Sequence, residues 1–218
     1  MEREIAILMA DLTGYTAMTD VHGGASAAKL VNKYMEIVDA ARHGTTQVMQ
    51  RIGDQVVMIA DDSGDLLETA KRLDTLTREE HHFLSIHAGL HFGQILIENH
   101  NLFGPTVNVA ARIMNAARRG QILCSSTFLD RLSTEFRLLF RSVGFHKLKN
   151  VITQVELFEL ILDTTKEVYV DPVCHMHIDP AKASPTADHA GVTYHFCSEY
   201  CKSLFLANPQ EFAGDGGQ

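Results

Sequence analysis

The chain has 218 residues, 45% of them hydrophobic and 21% charged, enough for one substantial core and a small appendage. Its formal net charge of −8 argues against a nucleic-acid surface, which needs clustered Lys and Arg; it leaves room for a single nucleotide, whose phosphates a metal ion can neutralise. No apolar run reaches the roughly 20 residues of a membrane-spanning helix, and the opening MEREIAILMA lacks a signal-peptide pattern, so a cytoplasmic protein without membrane contact is expected.

In chain order, Glu4–Ala10 predicts a buried strand ending at Asp11, followed by a turn at Thr13-Gly14. Ala28, Val31, Tyr34, Met35 and Val38 recur at helical spacing and predict a helix over Gly24–Arg42. Thr46–Arg51 and Gln55–Ala60 are β-rich runs that Gly53-Asp54 would join as a hairpin. Asp62–Arg78 reads as an amphipathic helix, Phe83–His91 and Gln94–Glu98 as strands, and Pro105–Arg118 as a helix with Pro where its missing N–H costs nothing. A strand over Gln121–Ser125, a short helix over Ser126–Leu132 and strands over Leu138–Lys149 and Gln154–Leu162 complete a domain of residues 1–162. A hairpin embedded among alternating strands and helices predicts an α+β fold, an α/β sandwich with a mixed sheet. Residues 163–170 read as a linker and 171–214 as a second module.

Asp11 and Asp54 both stand where the chain turns. If their strands are neighbours, the two carboxylates converge and repel unless a cation bridges them, and hard oxygen ligands suit Mg²⁺ or Mn²⁺. Leu12, Thr13, Gly14 and Tyr15 would offer backbone N–H groups to phosphate just before a helix. Ordinary turn chemistry explains either aspartate alone. Asn108 and Arg112, four apart, share a helix face that suits oxygen-rich ligands, or is simply solvated.

Of four cysteines, Cys124 lies in a predicted core strand, while Cys174, Cys197 and Cys201 crowd into the last fifth of the chain. In a reducing compartment such a cluster points to a soft or borderline cation, Zn²⁺ or Cu⁺, with His175, Met176, His177 and His195 all open as a fourth ligand. The bland alternative is buried free thiols packing as small hydrophobes. His81 and His82 read as a helix end, His87 and His91 as structural.

Five stretches, MADLTGYT, QRIGDQVVMIA, GLHFGQI, LFGPTVNVAARI and RRGQILCSS, stand in the order and approximate spacing of the class III adenylate and guanylate cyclases, which residues 4–162 resemble. The resemblance implies a ferredoxin-like βαββαβ catalytic domain. It implies that Asp11 and Asp54 bind two Mg²⁺ or Mn²⁺ ions and that residues 12–15 cradle phosphates. It implies that Asn108 and Arg112 support the ribose and the α-phosphate, and that Lys149 in KLKN meets the terminal phosphates. A purine nucleoside triphosphate, ATP in preference to GTP, would be cyclised between two protomers, one bringing the aspartates and the other the Asn/Arg helix, so a homodimer follows. The positions that choose the base in that family hold amides here: Gln50, where adenylate cyclases often have Lys and guanylate cyclases Glu, and Asn101, where Asp, Thr or Cys is common. That departure keeps a catalytically silent nucleotide-binding or dimerisation scaffold in view. DPVCHMH and TYHFCSEYC resemble the YHS domain, a family of heavy-metal-binding-like modules, which keeps metal binding or sensing in view as the main function.

Overall fold

The computed structural model describes residues 2–99, 101–162 and 168–213. Strand β1 (Glu2–Leu12) is an interior strand of the main sheet. Its run Ile5–Ala10 is buried on both sides: Ala6, Leu8 and Ala10 face one apolar cluster, Ile5, Ile7 and Met9 another. Period-two alternation of an all-apolar strand produces this two-sided burial.

Helix α1 (Tyr15–Ala41) leads to the hairpin β2 (Gln47–Ile52) and β3 (Gln55–Ala60); helix α2 (Ser63–Glu79) then leads to β4 (Ile86–Glu98). β3 and β4 flank β1, both antiparallel to it. These six elements form the βαββαβ unit, with α1 and α2 burying Leu30, Tyr34, Val38, Leu66, Ala70 and Leu73 on one face of the sheet. α2 starts at an Asp62 N-cap whose carboxylate accepts from the Gly64 and Asp65 amides.

β5 (Asn101–Phe103) pairs with β4, and α3 (Pro105–Ala116) crosses the opposite face to reach β6 (Ile122–Ser125), which runs parallel to β4. Short helices α4 (Ser126–Leu129) and α5 (Thr134–Arg137) precede the hairpin β7 (Phe140–His146) and β8 (Val155–Leu160). The main sheet runs β2-β3-β1-β4-β6-β8-β7. Among the described residues no helix is long and apolar enough to cross a membrane.

The second module has strands β9 (Tyr169–Val170), β10 (His177–Ile178), β11 (Thr186–His189) and β12 (Val192–His195), then α6 (Glu199–Ala207) and α7 (Pro209–Phe212). Phe196 and Phe205 centre its small core. It is docked on the larger domain. The His177 amide donates to the Phe83 carbonyl at 2.7 Å, the His177 ring meets Ser85 Oγ at 2.6 Å, and Val21 of α1 joins the module's apolar cluster.

Four local expectations change. The first helix begins at Tyr15, and Gly23 (φ 78°, ψ 167°) interrupts α1 rather than preceding it. Phe83–His91 and Gln94–Glu98 are largely one strand, β4; Gly93 does not end it but leaves room for Thr106, whose hydroxyl donates to the Gln94 carbonyl at 2.7 Å. Asp11 belongs to β1 instead of following it, because its backbone pairs with His87. Tyr169–Val170, read as linker, pairs with β10; positions 163–167 of that linker lie outside the described residues.

Candidate active site and cysteine cluster

The β2–β3 turn brings Asp54 to the end of β1, where its carboxyl faces that of Asp11. Burial, and then Asp11, push the Asp54 carboxyl well above the ordinary carboxylate range, while the Asp54 and Leu12 amides pull the other way. Asp11 Oδ1 is buried without a hydrogen-bond partner. Beneath the pair lies Tyr34, fully buried, its hydroxyl also unpartnered and its ionisation opposed by burial and by both aspartates. Two carboxyls sharing a half-dry corner, one oxygen orphaned, fit a divalent cation.

His87 is the cross-strand neighbour of Asp11, and its Nδ1 lies 3.0 Å from Thr13 Oγ1. Burial lowers its pKa and the Asp54 charge opposes that. Sequence reasoning left His87 and Tyr34 as packing residues. Only strand register and helix docking place them beside the aspartates.

The turn after β1 is narrower as a phosphate cradle than the sequence suggests. The Leu12 amide helps to hold the Asp54 carboxyl down, and the Thr13 amide donates to the Ser85 carbonyl at 2.8 Å. Gly14 (φ 90°) caps α1, so the amides open to an anion are those of its first turn, from Tyr15 onward.

Gln50 and Asn101 are brought together, Gln50 Nε2 donating to Asn101 Oδ1 at 3.4 Å. Asn108, exposed, and Arg112, half-buried, sit on α3 across the sheet from α1 and α2. Among the described residues neither shares a hydrogen bond or ion pair with the aspartates. Lys149 is exposed in the β7–β8 turn.

The three tail cysteines converge. Cys197 Sγ lies 3.4 Å from Cys174 Sγ and 3.5 Å from Cys201 Sγ. Ser198 caps α6 and sets Cys201 in its first turn. Buried Asp171 accepts from the Val173 and Cys174 amides through Oδ1 and from the Cys197 amide, at 2.7 Å, through Oδ2. Hydrogen bonding from Cys174, then Cys197, pulls the Cys201 thiol down to about 5, whereas hydrogen bonds to its two neighbours push Cys174 up.

None of the four expected fourth ligands completes this cluster. His175 packs on Gly14 and pairs with Arg119. His177 is held by Ser85, and Met176 packs among apolar side chains. His195 stacks on Tyr169 with ring centroids 3.8 Å apart. The nearest imidazole is His22 of α1, whose Nε2 lies 3.5 Å from Cys197 Sγ and 3.7 Å from Cys201 Sγ. Nothing in the sequence marks it, because the proximity comes from docking of the module on α1.

The family model described as adenylate and guanylate cyclase catalytic domain matches residues 1–160, and that of the YHS domain matches residues 169–215. The chain is 29% identical over 136 residues to an adenylate cyclase of Streptomyces coelicolor, an alignment covering 61% of this chain and 35% of that protein. It thus spans about a third of that relative's length. The tail is 45% identical over 42 residues to a copper-transporting P-type ATPase of Rhizobium leguminosarum, covering 19% of this chain and 5% of that one. Among solved structures, the guanylate cyclase domain of a Catenaria anguillulae protein in complex with GTP superposes with a TM-score of 0.66 at 17% identity, over 75% of this chain and 100% of that one, a likeness of fold.

Proposed function

The chain belongs to the family of adenylate and guanylate cyclase catalytic domains, with a YHS domain behind it, and from that premise we propose that it converts ATP, in preference to GTP, to the 3′,5′-cyclic monophosphate and pyrophosphate at the interface of a homodimer. The observation that carries this reading is the convergence of Asp11 and Asp54 with a buried, orphaned Asp11 oxygen. Those two carboxylates would hold two Mg²⁺ or Mn²⁺ ions. Bound there, such ions lower the pKa of the ribose 3′ hydroxyl and neutralise the triphosphate.

The protein's own groups position and stabilise. First-turn amides of α1 bind terminal phosphate oxygens, with Lys149 adding a cation. Arg112 stabilises charge growing on the α-phosphate oxygens as pyrophosphate leaves, and Asn108 orients the ribose. Because α3 lies on the opposite face of the sheet, Asn108 and Arg112 act from a second protomer, and an isologous interface repeats the site twice. Gln50 and Asn101 exchange their mutual hydrogen bond for the base edge, since amides both donate and accept. The preference for ATP draws on the Streptomyces coelicolor relative, named an adenylate cyclase. In the module, Cys174, Cys197 and Cys201 take a soft or borderline cation such as Zn²⁺ or Cu⁺.

Incubation of purified protein with ATP or GTP and Mn²⁺, with product analysis, tests the reading. Cyclic AMP is expected to exceed cyclic GMP, and Asp54→Ala to lower turnover at least about 100-fold. No cyclic product from either nucleotide, or an Asp54→Ala variant equal to wild type, overturns it.

A further inference from the structure

We propose that the cysteine cluster is one half of a metal site whose remaining ligand comes from the catalytic domain: Cys174, Cys197, Cys201 and His22 Nε2 together bind one Zn²⁺- or Cu⁺-class cation, which ties the module to α1. The inference deepens the reading of the tail as a soft-metal module and rests on it.

Five observations carry it. The donor atoms of all four residues lie within 4.8 Å of one another. A tetrahedral ion with metal–sulfur bonds of about 2.3 Å sets neighbouring donors about 3.5–3.8 Å apart. The close contacts here, 3.4, 3.5, 3.5 and 3.7 Å, fall close to that spacing. The donor set, three thiols and one imidazole, is that of a closed structural site rather than an open catalytic one. Asp171, buried and accepting three amide hydrogen bonds, locks both thiol-bearing segments, the role outer groups play around metal ligands. Finally, the candidates within the module are committed elsewhere, His175 to Arg119 and His177 to Ser85.

The location gives the site its meaning. His22 is the last residue before the break at Gly23, and the helical segment it ends is capped by Gly14, in the turn beside the aspartates. His175, adjacent to the ligand Cys174, packs against that same Gly14 so closely that a Cβ there would sit 2.6 Å from its own Cβ. The cation therefore fastens the module to one end of the first segment of α1, and His175 packs on the other.

The test compares full-length wild type, His22→Ala, His22→Cys and Cys201→Ser under reducing conditions. Zn²⁺ affinity is measured by chelator competition, and Co²⁺ serves as a spectroscopic probe of the ligand set. Wild type is expected to bind one ion with a tetrahedral Co²⁺ spectrum. His22→Ala should weaken Zn²⁺ binding at least about 10–100-fold. His22→Cys should restore tight binding with a stronger thiolate-to-Co²⁺ charge-transfer band, which separates loss of a ligand from loss of fold. Circular dichroism melts of the metal-free proteins provide the folding control. If His22→Ala binds Zn²⁺ as tightly as wild type with an unchanged Co²⁺ spectrum while Cys201→Ser does not, the thiols hold the ion without α1 and the proposal is wrong. If Cys201→Ser also binds as wild type does, the soft-metal reading of the module itself fails.

Discussion

At the scale of single residues, the aspartate pair is stored tension. Burial and the Asp11 carboxyl oppose ionisation of Asp54, and among the described residues only the Asp54 and Leu12 amides pull the other way. Functional sites commonly lower the stability of the folds that carry them. Asp54→Asn should therefore raise the unfolding free energy of metal-free protein by about 1 kcal/mol. The same change should abolish measurable cyclase turnover. Urea titration in chelator beside a product assay checks both; an equally stable, equally active variant would contradict the placement of the charge. The turn positions of Asp11 and Asp54 were legible in the sequence, but their assignment to one site came from the resemblance of MADLTGYT and QRIGDQVVMIA to the cyclases. His22 and Tyr34 were not, since one is reached only by docking and the other looks like any core aromatic.

At the scale of elements, β4 and α3 are set by glycine. A Cβ on Gly89 would come within 2.3 Å of the Met114 backbone nitrogen and 2.8 Å of the Ala110 carbonyl oxygen, backbone atoms that cannot rotate away. Gly89→Ala must push α3 off the sheet, and overpacking of this kind costs typically about 1–3 kcal/mol. Because α3 carries Asn108 and Arg112, turnover should fall even where the variant remains folded, while the metal content of the distant cysteine cluster stays the same. Thermal unfolding, turnover and metal analysis of one preparation separate these effects. Element types were largely readable from periodicity, from the β2–β3 hairpin to the Pro-initiated α3. Boundaries failed where glycine does something other than end an element: Gly23 interrupts α1, and Gly93 passes through β4. The three-residue strand β5 and the four-residue helix α5 are too short to show a period.

At the scale of the whole molecule, one buried and one half-buried imidazole make the fold acid-sensitive. Burial lowers His91, bonded to Ser125 at 2.7 Å, to about 4. Burial, then Arg78 and Arg119, lower His177 at the docking surface to about 4. The unfolded chain takes up these protons near pH 6.5, so it binds more protons than the native state between about 6.5 and about 4. Stability therefore falls as pH drops through that window, by on the order of 1–2 kcal/mol per histidine between pH 7 and 5. Urea unfolding at the two pH values should show the loss, and His91→Gln should show less of it; an identical pH response in the variant would clear His91 of the effect.

The segment from Tyr15 to His22 is a helix of two turns, about 10 Å long, with the turn beside the aspartates at one end and the thiols at the other. A helix of that size acts as a gauge block: its length is fixed, and so is the angle between whatever stands at its ends. Each residue added or removed would swing the imidazole about 100° around the axis, out of reach of the sulfurs, even with every side chain named above intact. In this chain helical phase thus sets the spacing and the angle between the aspartate corner and the thiol cluster.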